Sequence, residues 1–403
     1  MRRGIVVTLF FLLGIKSLSG YLEWGFYGHR LINRMAVFTL PPSLVKFYKP
    51  NLEYISAHAV DADKRRYSSP HEAIRHYIDL DHWGEHPFPN LPRKWEDALC
   101  YFCDLHCFTE SGDSLTLSGK DFVDTTLEFQ AFDTSYMIDR ENYRNLFYMH
   151  ILPGFYNDPW LLDPDSFCTY LDLPSLAIKR IVVRDTFSGF GILPYHLNKI
   201  QNQLTQAFAE KDINKILRYS ADLGHYLADA HVPLHTTVNY DGQLTDQVGI
   251  HAFWESRLPE LFAEKQYDFF VGKASYISDL RSYYWNVVLE THELVKKVLE
   301  VEKTLSLAFP ADQQYCFDER SEQTIRTQCR EYAEAYHDLL GGQVERQMQK
   351  SILAIGSAWY TAWIDAGQPD FASDAFQLVE DEISDTLPKT GKNLPHARKH
   401  EGG

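Results

Sequence analysis

Two closely spaced pairs of a histidine and a carboxylate constrain how this chain can fold. His225 and Asp229 are four residues apart, and so are His251 and Glu255. Because residues four apart share a face of an α-helix, each pair can aim both side chains at one point. A proline after Asp229 is expected to end the first helix, which places His235 in the turn beyond it. The fold must therefore bring two helical segments together around these side chains.

The residue types in these pairs are typical of a metal site. Imidazole nitrogens and carboxylate oxygens together suit zinc and similar borderline cations. A single pair at this spacing is more often a salt-linked pair at the surface. Two pairs and a third histidine within about thirty residues favour a metal centre instead.

Composition limits the partners of the chain. The 403 residues carry a formal net charge of -16, so the chain lacks the bulk positive charge of a non-specific polyanion binder. A metal enzyme that acts on phosphates remains compatible with this charge, because bound cations add positive charge that a residue count omits. The length suits one large domain or two modest ones.

The first twenty residues are typical of a signal peptide. Arg2 and Arg3 precede a short apolar stretch over 4–15, and small residues suited to cleavage follow it. This stretch of about twelve residues is too short to span a bilayer, and no later segment approaches that length. We therefore predict a signal peptide over 1–20, no transmembrane segment in the mature chain, and a secreted or periplasmic protein.

Six cysteines fit an oxidising compartment. The segment 100–107 has the spacing C-x2-C-x2-H-C, which suits either a thiolate metal site or a set of oxidisable thiols. No second cysteine pair at zinc-finger spacing follows, and this favours the second interpretation. Cys316 and Cys329 are candidates for a disulfide that closes a short loop, although the sequence leaves the connectivity open.

Helical periodicity dominates the sequence. Apolar residues recur at three- and four-residue steps and predict helices over 24–40, 71–81, 195–210, 212–232, 250–264, 276–304, 321–348 and 350–365. Strand-like alternation is scarce, and 83–190 is irregular and rich in proline, aspartate and aromatic residues. The sequence therefore predicts an all-α fold, as a single compact domain over 21–384 with an irregular insertion. The polar tail 385–403 is expected to be disordered.

Further candidate ligands lie upstream of the two pairs. The motif W-G-F-Y-G-H ends at His29, A-V-D-A-D-K-R-R contains Asp63 and Arg66, and R-H-Y-I-D contains His76. With H-x3-D-x5-H and H-x3-E, these motifs follow the order found in zinc-dependent phospholipase C and in the fungal single-strand-specific three-zinc nucleases. Over roughly 24–260, the chain resembles that superfamily.

The resemblance implies three zinc ions in one cleft. The implied ligands, grouped by ion, are Asp63, His76, His225 and Asp229 for the first; His29, the Trp24 backbone and a bridging Asp229 for the second; and His235, His251 and Glu255 for the third. In the family, the tryptophan is the first residue of the processed chain and binds zinc through its α-amine. Here, cleavage after Ser19 or Gly20 would leave several residues before Trp24.

The resemblance also implies an activity, the cleavage of phosphodiester bonds by a zinc-bound hydroxide that attacks phosphorus in line. Asp63 and Asp229 would hold the ions, and Arg66 matches a family position that can pair with phosphate oxygens. The alternative for Arg66 is a solvated charge in a basic run.

Two substrates fit the resemblance, a phospholipid or single-stranded nucleic acid. Glu255 resembles the phospholipase branch, whereas the tryptophan three residues after His251 resembles the nuclease branch, which includes 3'-nucleotidases. We slightly favour a phospholipid. A non-catalytic, zinc-stabilised binding protein of the cell surface is an alternative of another class. The complete ligand set argues against it, because structural zinc needs only one closed site.

Two neighbouring residues are given lesser roles. His231 lies off the face that His225 and Asp229 share, so we expect it to support the site and not to bind metal. Asp79 could orient a ligand histidine through the second ring nitrogen of that histidine. The long gap between His76 and His225 leaves room for an insertion that reshapes the cleft.

Overall fold

The computed structural model describes residues 25–66, 69–131, 133–320, 323–371 and 396–398. The expected signal peptide and Trp24 lie outside these described residues. Most of the expected tail 385–403 also lies outside them, and only 396–398 belong to the described part.

Helices make up most of the described structure. In chain order they are α1 (Gly25–Ala36), α2 (Pro42–Tyr48), α3 (Leu52–Ala57), α4 (Asp61–Arg66), α5 (Pro70–Ala73), α6 (Trp95–Phe102), α7 (Arg140–Leu146), α8 (Pro164–Tyr170), α9 (Leu193–Glu210), α10 (Ile213–Asp229), α11 (Ile250–Ala252), α12 (Leu258–Gln266), α13 (Leu280–His292), α14 (Val295–Ala308), α15 (Arg330–Leu340) and α16 (Gln343–Asp365). None of the helices within the described ranges is long and apolar enough to cross a membrane.

The helices α9 and α10 form the centre of the helical core and meet at a tight turn. Lys211 adopts a left-handed φ of 56° and ends α9. The Asp212 carboxylate accepts a hydrogen bond from the backbone N–H of Lys215 at 3.0 Å, which caps α10. The break predicted at these two residues is confirmed. The helices α1 and α16 pack on α10, whose C-terminal half is buried on all sides.

The predicted all-α class is wrong, because the fold is mixed α and β. The strands within the described residues are β1 (Asp104–Thr109), β2 (Ser114–Ser118), β3 (Thr126–Ala131), β4 (Thr134–Asp139), β5 (Leu161–Leu162), β6 (Ile178–Arg184), β7 (Tyr315–Arg320) and β8 (Gln323–Gln328). The strands β2, β1, β6 and β5 form one antiparallel sheet in that order, whereas β3–β4 and β7–β8 are separate hairpins. The segment 83–190 is therefore not the irregular insertion that the sequence predicts.

Short strands explain why the sequence analysis missed these sheets. In β3, Leu127, Phe129 and Ala131 are buried and alternate with exposed residues, as a half-buried strand requires. Three apolar positions are a weak signal beside the long helical periodicities of the same chain. In β1 burial also alternates, but hydrophobicity does not follow it, because the apolar Phe108 is exposed and the polar Thr109 is buried.

The predicted helix over 321–348 forms only in part: strand β8 lies near its start, and α15 and the beginning of α16 follow. Gly341 and Gly342 separate these two helices with φ values of 62° and 74°. A disulfide joins Cys316 to Cys329 with their Cα atoms 4.9 Å apart, so this candidate pairing is confirmed. The disulfide closes the hairpin at the end that leads into α15.

The other four cysteines are free thiols, namely Cys100, Cys103, Cys107 and Cys168. Burial raises the pKa of the Cys100 and Cys107 thiols to about 12, which disfavours the thiolate that a metal would need. Among the described residues, no group with metal-binding geometry includes a cysteine.

Candidate metal centre

Three groups of side chains place their ligand atoms within 4.8 Å of one another. The groups are His29, His225 and Asp229; Asp63, His76 and His225; and His235, His251 and Glu255. They contain all the side chains that the sequence analysis proposed as ligands. Because His225 belongs to two groups, these two form one continuous cluster, whereas the third group shares no residue with them. Trp24 falls outside the described residues.

Distant segments of the fold supply these side chains. The helix α1 carries His29 and α4 carries Asp63, whereas the last two turns of α10 carry His225 and Asp229. His76 follows α5 in irregular backbone, because the helix predicted over 71–81 ends at Ala73 after one turn.

The remaining ligands follow the end of α10. His235 lies in a 3-10 turn over Pro233–Thr236, as predicted from the proline. The expected helix over 250–264 begins as α11, which contains His251. It then continues as a π-helical turn over Phe253–Arg257 that contains Glu255. Single π-turns inside helices occur frequently at functional sites.

The two carboxylate oxygens of Asp229 contact three histidines. Its Oδ2 lies 2.9 Å from His76 Nδ1 and 3.3 Å from His225 Nε2. Its Oδ1 lies 3.3 Å from His29 Nε2. Only 1% of the Asp229 side chain is exposed, so these nitrogens are its polar surroundings. The carboxylate thus contacts both overlapping groups from a position between them.

Asp63 contacts the same cluster from the side nearest solvent. Its Oδ1 lies 3.7 Å from His225 Nε2 and 3.8 Å from His76 Nδ1. These two nitrogens are themselves 3.0 Å apart. Arg66 lies one turn further along α4, and its Nη1 is 3.3 Å from Asp63 Oδ1. The guanidinium is therefore held at the edge of the cluster.

The third group is as compact as the first two. The Oε2 atom of Glu255 lies 2.8 Å from His251 Nε2 and 3.3 Å from His235 Nε2. The two Nε2 atoms are 3.1 Å apart. The other carboxylate oxygen, Oε1, lies 3.4 Å from His29 Nε2, which connects this group to the cluster around Asp229.

Backbone carbonyls fix the orientation of three of these histidines. Nδ1 of His225 donates to the Ala59 carbonyl at 2.8 Å, Nδ1 of His235 to the His76 carbonyl at 2.5 Å, and Nδ1 of His251 to the Tyr240 carbonyl at 3.1 Å. A carbonyl only accepts, so each neutral ring must present a bare Nε2 to the site. The lone pairs of these unprotonated nitrogens point towards carboxylate oxygens and towards the nitrogens of neighbouring histidine rings. The arrangement therefore requires added positive charge, either protons or metal ions.

The electrostatics of the site agree with this requirement. Burial alone would raise the pKa of Asp229 and Glu255, but the surrounding histidines hold both values well below the ordinary range. Burial alone would lower the pKa of His225, but Asp229 and Asp63 raise it to about 9. Without a metal, a proton on His225 would therefore balance part of the carboxylate charge. A bound cation would displace such a proton.

A buried ionic network behind the cluster was not found by sequence analysis. The carboxylate of Glu72 is fully buried, pairs with Arg75 at 2.5 Å and Arg65 at 3.4 Å, and accepts a hydrogen bond from the Tyr226 hydroxyl. The Tyr226 ring packs edge-on against the ring of His76, with centroids 5.2 Å apart. The network therefore packs against His76 through the Tyr226 ring. The only signal in the sequence was an acid close to two arginines.

A close approach between α1 and α10 positions the two ligand helices. A β-carbon at Gly224 would lie 2.0 Å from Asn33 Oδ1, so only glycine leaves room for this side chain. Asn33 is fully buried and donates to the Ala221 carbonyl at 3.1 Å. The contact brings His29 of α1 over His225 of α10.

His231 and Asp79 do not belong to the ligand groups. The Nδ1 atom of His231 donates to the Leu227 carbonyl at 2.7 Å, and burial lowers its pKa to about 4. Asp79 Oδ1 pairs with Arg398 at 2.6 Å, whereas carbonyl oxygens orient the ligand histidines.

Comparison with known proteins assigns no family to the chain. No protein-family model matches it, and no curated protein matches it significantly. Any functional conclusion therefore depends on the motifs of the sequence and on the geometry of the site.

Proposed function

We propose that this chain is an exported, zinc-dependent hydrolase that cleaves phosphodiester bonds, with a phospholipid as the favoured substrate. The observation that carries the proposal is the convergence of the motif residues on three adjoining groups of ligand atoms. All the donors are imidazoles and carboxylates, which suits zinc. A carboxylate between two of the groups, Asp229, supports two neighbouring ions, and the group around Glu255 supports a third.

The exposure of the site indicates where a substrate would approach. Asp63 and Glu255 are each 16% exposed and His251 is 12% exposed, whereas the other ligand side chains are almost completely buried. A catalytic metal site keeps one side open, whereas a structural site is closed. This difference favours an enzyme over a non-catalytic binding protein.

Arg66 lies at this open side and is 14% exposed. Its planar guanidinium can donate two parallel hydrogen bonds to phosphate oxygens. Zinc ions held beside it would supply a nucleophile at neutral pH and would polarise a phosphoryl oxygen. Asp63 and Asp229 would hold the ions, and Asp63 would also keep the Arg66 side chain in place.

The proposal is tested with two substrates and one chelator. Purified protein is incubated with phosphatidylcholine vesicles and, separately, with single-stranded DNA. We expect release of phosphocholine from the vesicles, loss of this activity on chelation, and recovery on addition of zinc. Cleavage of DNA but not of the lipid would mean that the substrate is a nucleic acid, whereas the proposed hydrolysis of phosphodiester bonds would stand. A folded protein that binds zinc but cleaves neither would contradict the proposed enzyme.

A further inference from the structure

A second charged site lies beside the metal centre and encloses the side chain of Arg398. Only 5% of this side chain is exposed, and its Nη2 lies 2.6 Å from Asp79 Oδ1. The guanidinium carbon lies 3.9 Å from the ring centroid of Tyr77 and 4.4 Å from that of Tyr240. The same nitrogen donates to the Thr237 carbonyl at 2.9 Å. We call Tyr77, Asp79 and Tyr240 the cation cage.

The chemistry of the cation cage suits a guanidinium group. Two aromatic faces attract a cation, and the Asp79 carboxylate supplies the opposite charge in a buried position. The oxygens of Asp79 and Thr237 need N–H donors, which a guanidinium carries in a planar fork. A quaternary ammonium group has no such donor and could use only the aromatic faces. The cage should therefore distinguish these two kinds of cation.

The walls of the cation cage also position ligands of the metal centre. Tyr77 follows His76 directly, and the next backbone N–H along the chain donates to the His235 carbonyl at 2.9 Å. The carbonyl of Tyr240 accepts the Nδ1 proton of His251 at 3.1 Å. The segments that form the cage therefore also hold three ligand histidines in place. The Arg398 guanidinium in the cage lies outside the ligand groups.

Two further contacts attach the segment that carries Arg398. The backbone N–H of Arg398 donates to the Tyr77 hydroxyl at 3.1 Å. The ring of His396 stacks on Phe190 with centroids 5.0 Å apart, and Phe190 in turn stacks on His82 at 3.5 Å. Residues 396–398 are therefore attached through two side chains and the backbone, so the contact involves more than one ion pair.

We propose that the cation cage is a guanidinium-binding site that docks the C-terminal segment 396–398 of this chain beside the metal centre. Arg398 is the anchor of the segment, and the cage accepts an arginine from a separate peptide once this anchor is removed. The docking depends on the cation cage and on the ring of Phe190, none of which belongs to the ligand groups, and it holds whether or not the metal centre is catalytic.

The test uses the full chain with Arg398 replaced by alanine. Calorimetric titration measures its binding to a peptide of sequence N-L-P-H-A-R-K-H-E, which copies 393–401, and to the same peptide with alanine in place of arginine. We expect the variant to bind the arginine peptide at least about tenfold more tightly than the alanine peptide, since a charge-assisted pair is lost. The unaltered protein should bind the arginine peptide at least about tenfold more weakly, because its own tail competes.

Two matched variants make the result specific. Lys399→Ala removes a neighbouring positive charge and should behave as the unaltered protein does. Asp79→Asn combined with Arg398→Ala should abolish the preference for the arginine peptide. Methylguanidinium should displace the bound peptide at a concentration at which tetramethylammonium does not.

Equal binding of the two peptides by Arg398→Ala would overturn the proposal, and so would equal displacement by the two small cations. Thermal melting and metal content must match those of the unaltered protein. If Arg398→Ala fails to fold, Arg398→Lys keeps the charge without the planar fork. It should then bind the arginine peptide more tightly than the unaltered protein does, and unchanged binding would contradict the role of Arg398.

Discussion

The imidazole ring of His29 stacks on the ring of His225, with centroids 4.1 Å apart and 29° between the ring planes. This contact joins a ligand on α1 to a ligand on α10. It depends on the close approach of the two helices at Gly224, where the Asn33 side chain fills the space of a missing β-carbon. The geometry of the metal centre therefore depends partly on Gly224 and Asn33, which are not members of the ligand groups.

Replacing Gly224 with alanine should separate these helices. The new β-carbon would meet Asn33 Oδ1 at 2.0 Å, and we expect a loss of about 1–3 kcal/mol in the free energy of unfolding together with weaker metal binding. Gly28→Ala is the matched control, because its β-carbon would lie 3.9 Å from the nearest atom. This change should be neutral or should stabilise α1 by up to about 1 kcal/mol. Equal destabilisation by the two changes, measured in urea, would contradict the role given to Gly224.

Asp229→Asn should be far more damaging to activity than His231→Ala. Asp229 contacts three histidines of two ligand groups, so its negative charge is needed to hold cations there. We expect hydrolysis to fall by about 100-fold or more, beyond the effect typical of residues that only support ligands. His231 contacts the Leu227 carbonyl, and its loss should mainly reduce stability. Similar activity in two folded variants would mean that Asp229 is not a ligand.

Purified protein should contain about three zinc ions per chain, one for each group of ligand atoms. Chelation should lower the melting temperature, because metal that binds only the folded state adds about 2.7 kcal/mol per site at a hundredfold excess over Kd. Elemental mass spectrometry and calorimetry give the two measurements. Fewer than about one zinc per chain, after purification without chelator, would leave the zinc proposal without support.

Glu72→Gln should destabilise the protein in a way that depends on pH. Burial alone would raise the pKa of Glu72, but Arg75 and Arg65 lower it below the ordinary value of 4.5. A lowered pKa contributes stability above the unfolded value, and this contribution is lost as the pH falls through the folded value. At pH 7 the variant should therefore lose about 3 kcal/mol, because Arg75 loses the charge of its carboxylate partner at 2.5 Å, whereas Arg65 loses its contact with Glu72 but keeps its pairing with Asp222 at 3.0 Å. The difference from the unaltered protein should shrink below about pH 4.

The control for this series is Glu53→Gln. Glu53 pairs with Arg34 at 2.8 Å but its side chain is 85% exposed, so the change should have no measurable effect at either pH. Chemical denaturation between pH 3 and pH 7 supplies the data. A constant difference between Glu72→Gln and the unaltered protein over this range would show that the Glu72 charge is not involved.

Arg66→Ala should lower kcat/KM by about 10–100-fold, the loss expected for one charge-assisted hydrogen bond to a phosphate. Its metal content should remain unchanged, because Arg66 contacts Asp63 and is not itself a ligand. Lys64→Ala is the matched control, since Lys64 is 52% exposed and pairs with Asp61. An equal loss of kcat/KM in both variants would indicate a general effect of positive charge and would contradict a specific role of Arg66.

The sequence was most informative where spacing alone determines geometry. The pair His225 and Asp229 lies on one helix face, and the turn predicted after it does carry His235. The four-residue spacing of His251 and Glu255 also survives the change to a π-helical turn, because their side chains still meet at 2.8 Å. Local periodicity is sufficient for such features.

Contacts between distant segments could not be predicted in the same way. The hydroxyl of Tyr226 meets Glu72 across 154 residues, and no pattern in either segment indicates the partner. The all-α prediction failed for a related reason, since β1 finds its partners in β2 and in the distant β6. Their pairing is decided by tertiary contacts, and short strands carry little periodic signal of their own.

The separation of the ligands along the chain has a consequence for how the protein acquires its metals. His76 lies 153 residues from Asp229 and 149 from His225, so the cluster forms only after very long loops have closed. An isolated α10 offers only two ligands, unlike a zinc finger, whose local ligands let the metal drive folding. Metal loading of the cluster around Asp229 must therefore follow the assembly of a nearly native topology, whereas the ligands of the third group lie within 20 residues of one another along the chain. The metal supply that matters is that of the compartment in which the chain completes its folding.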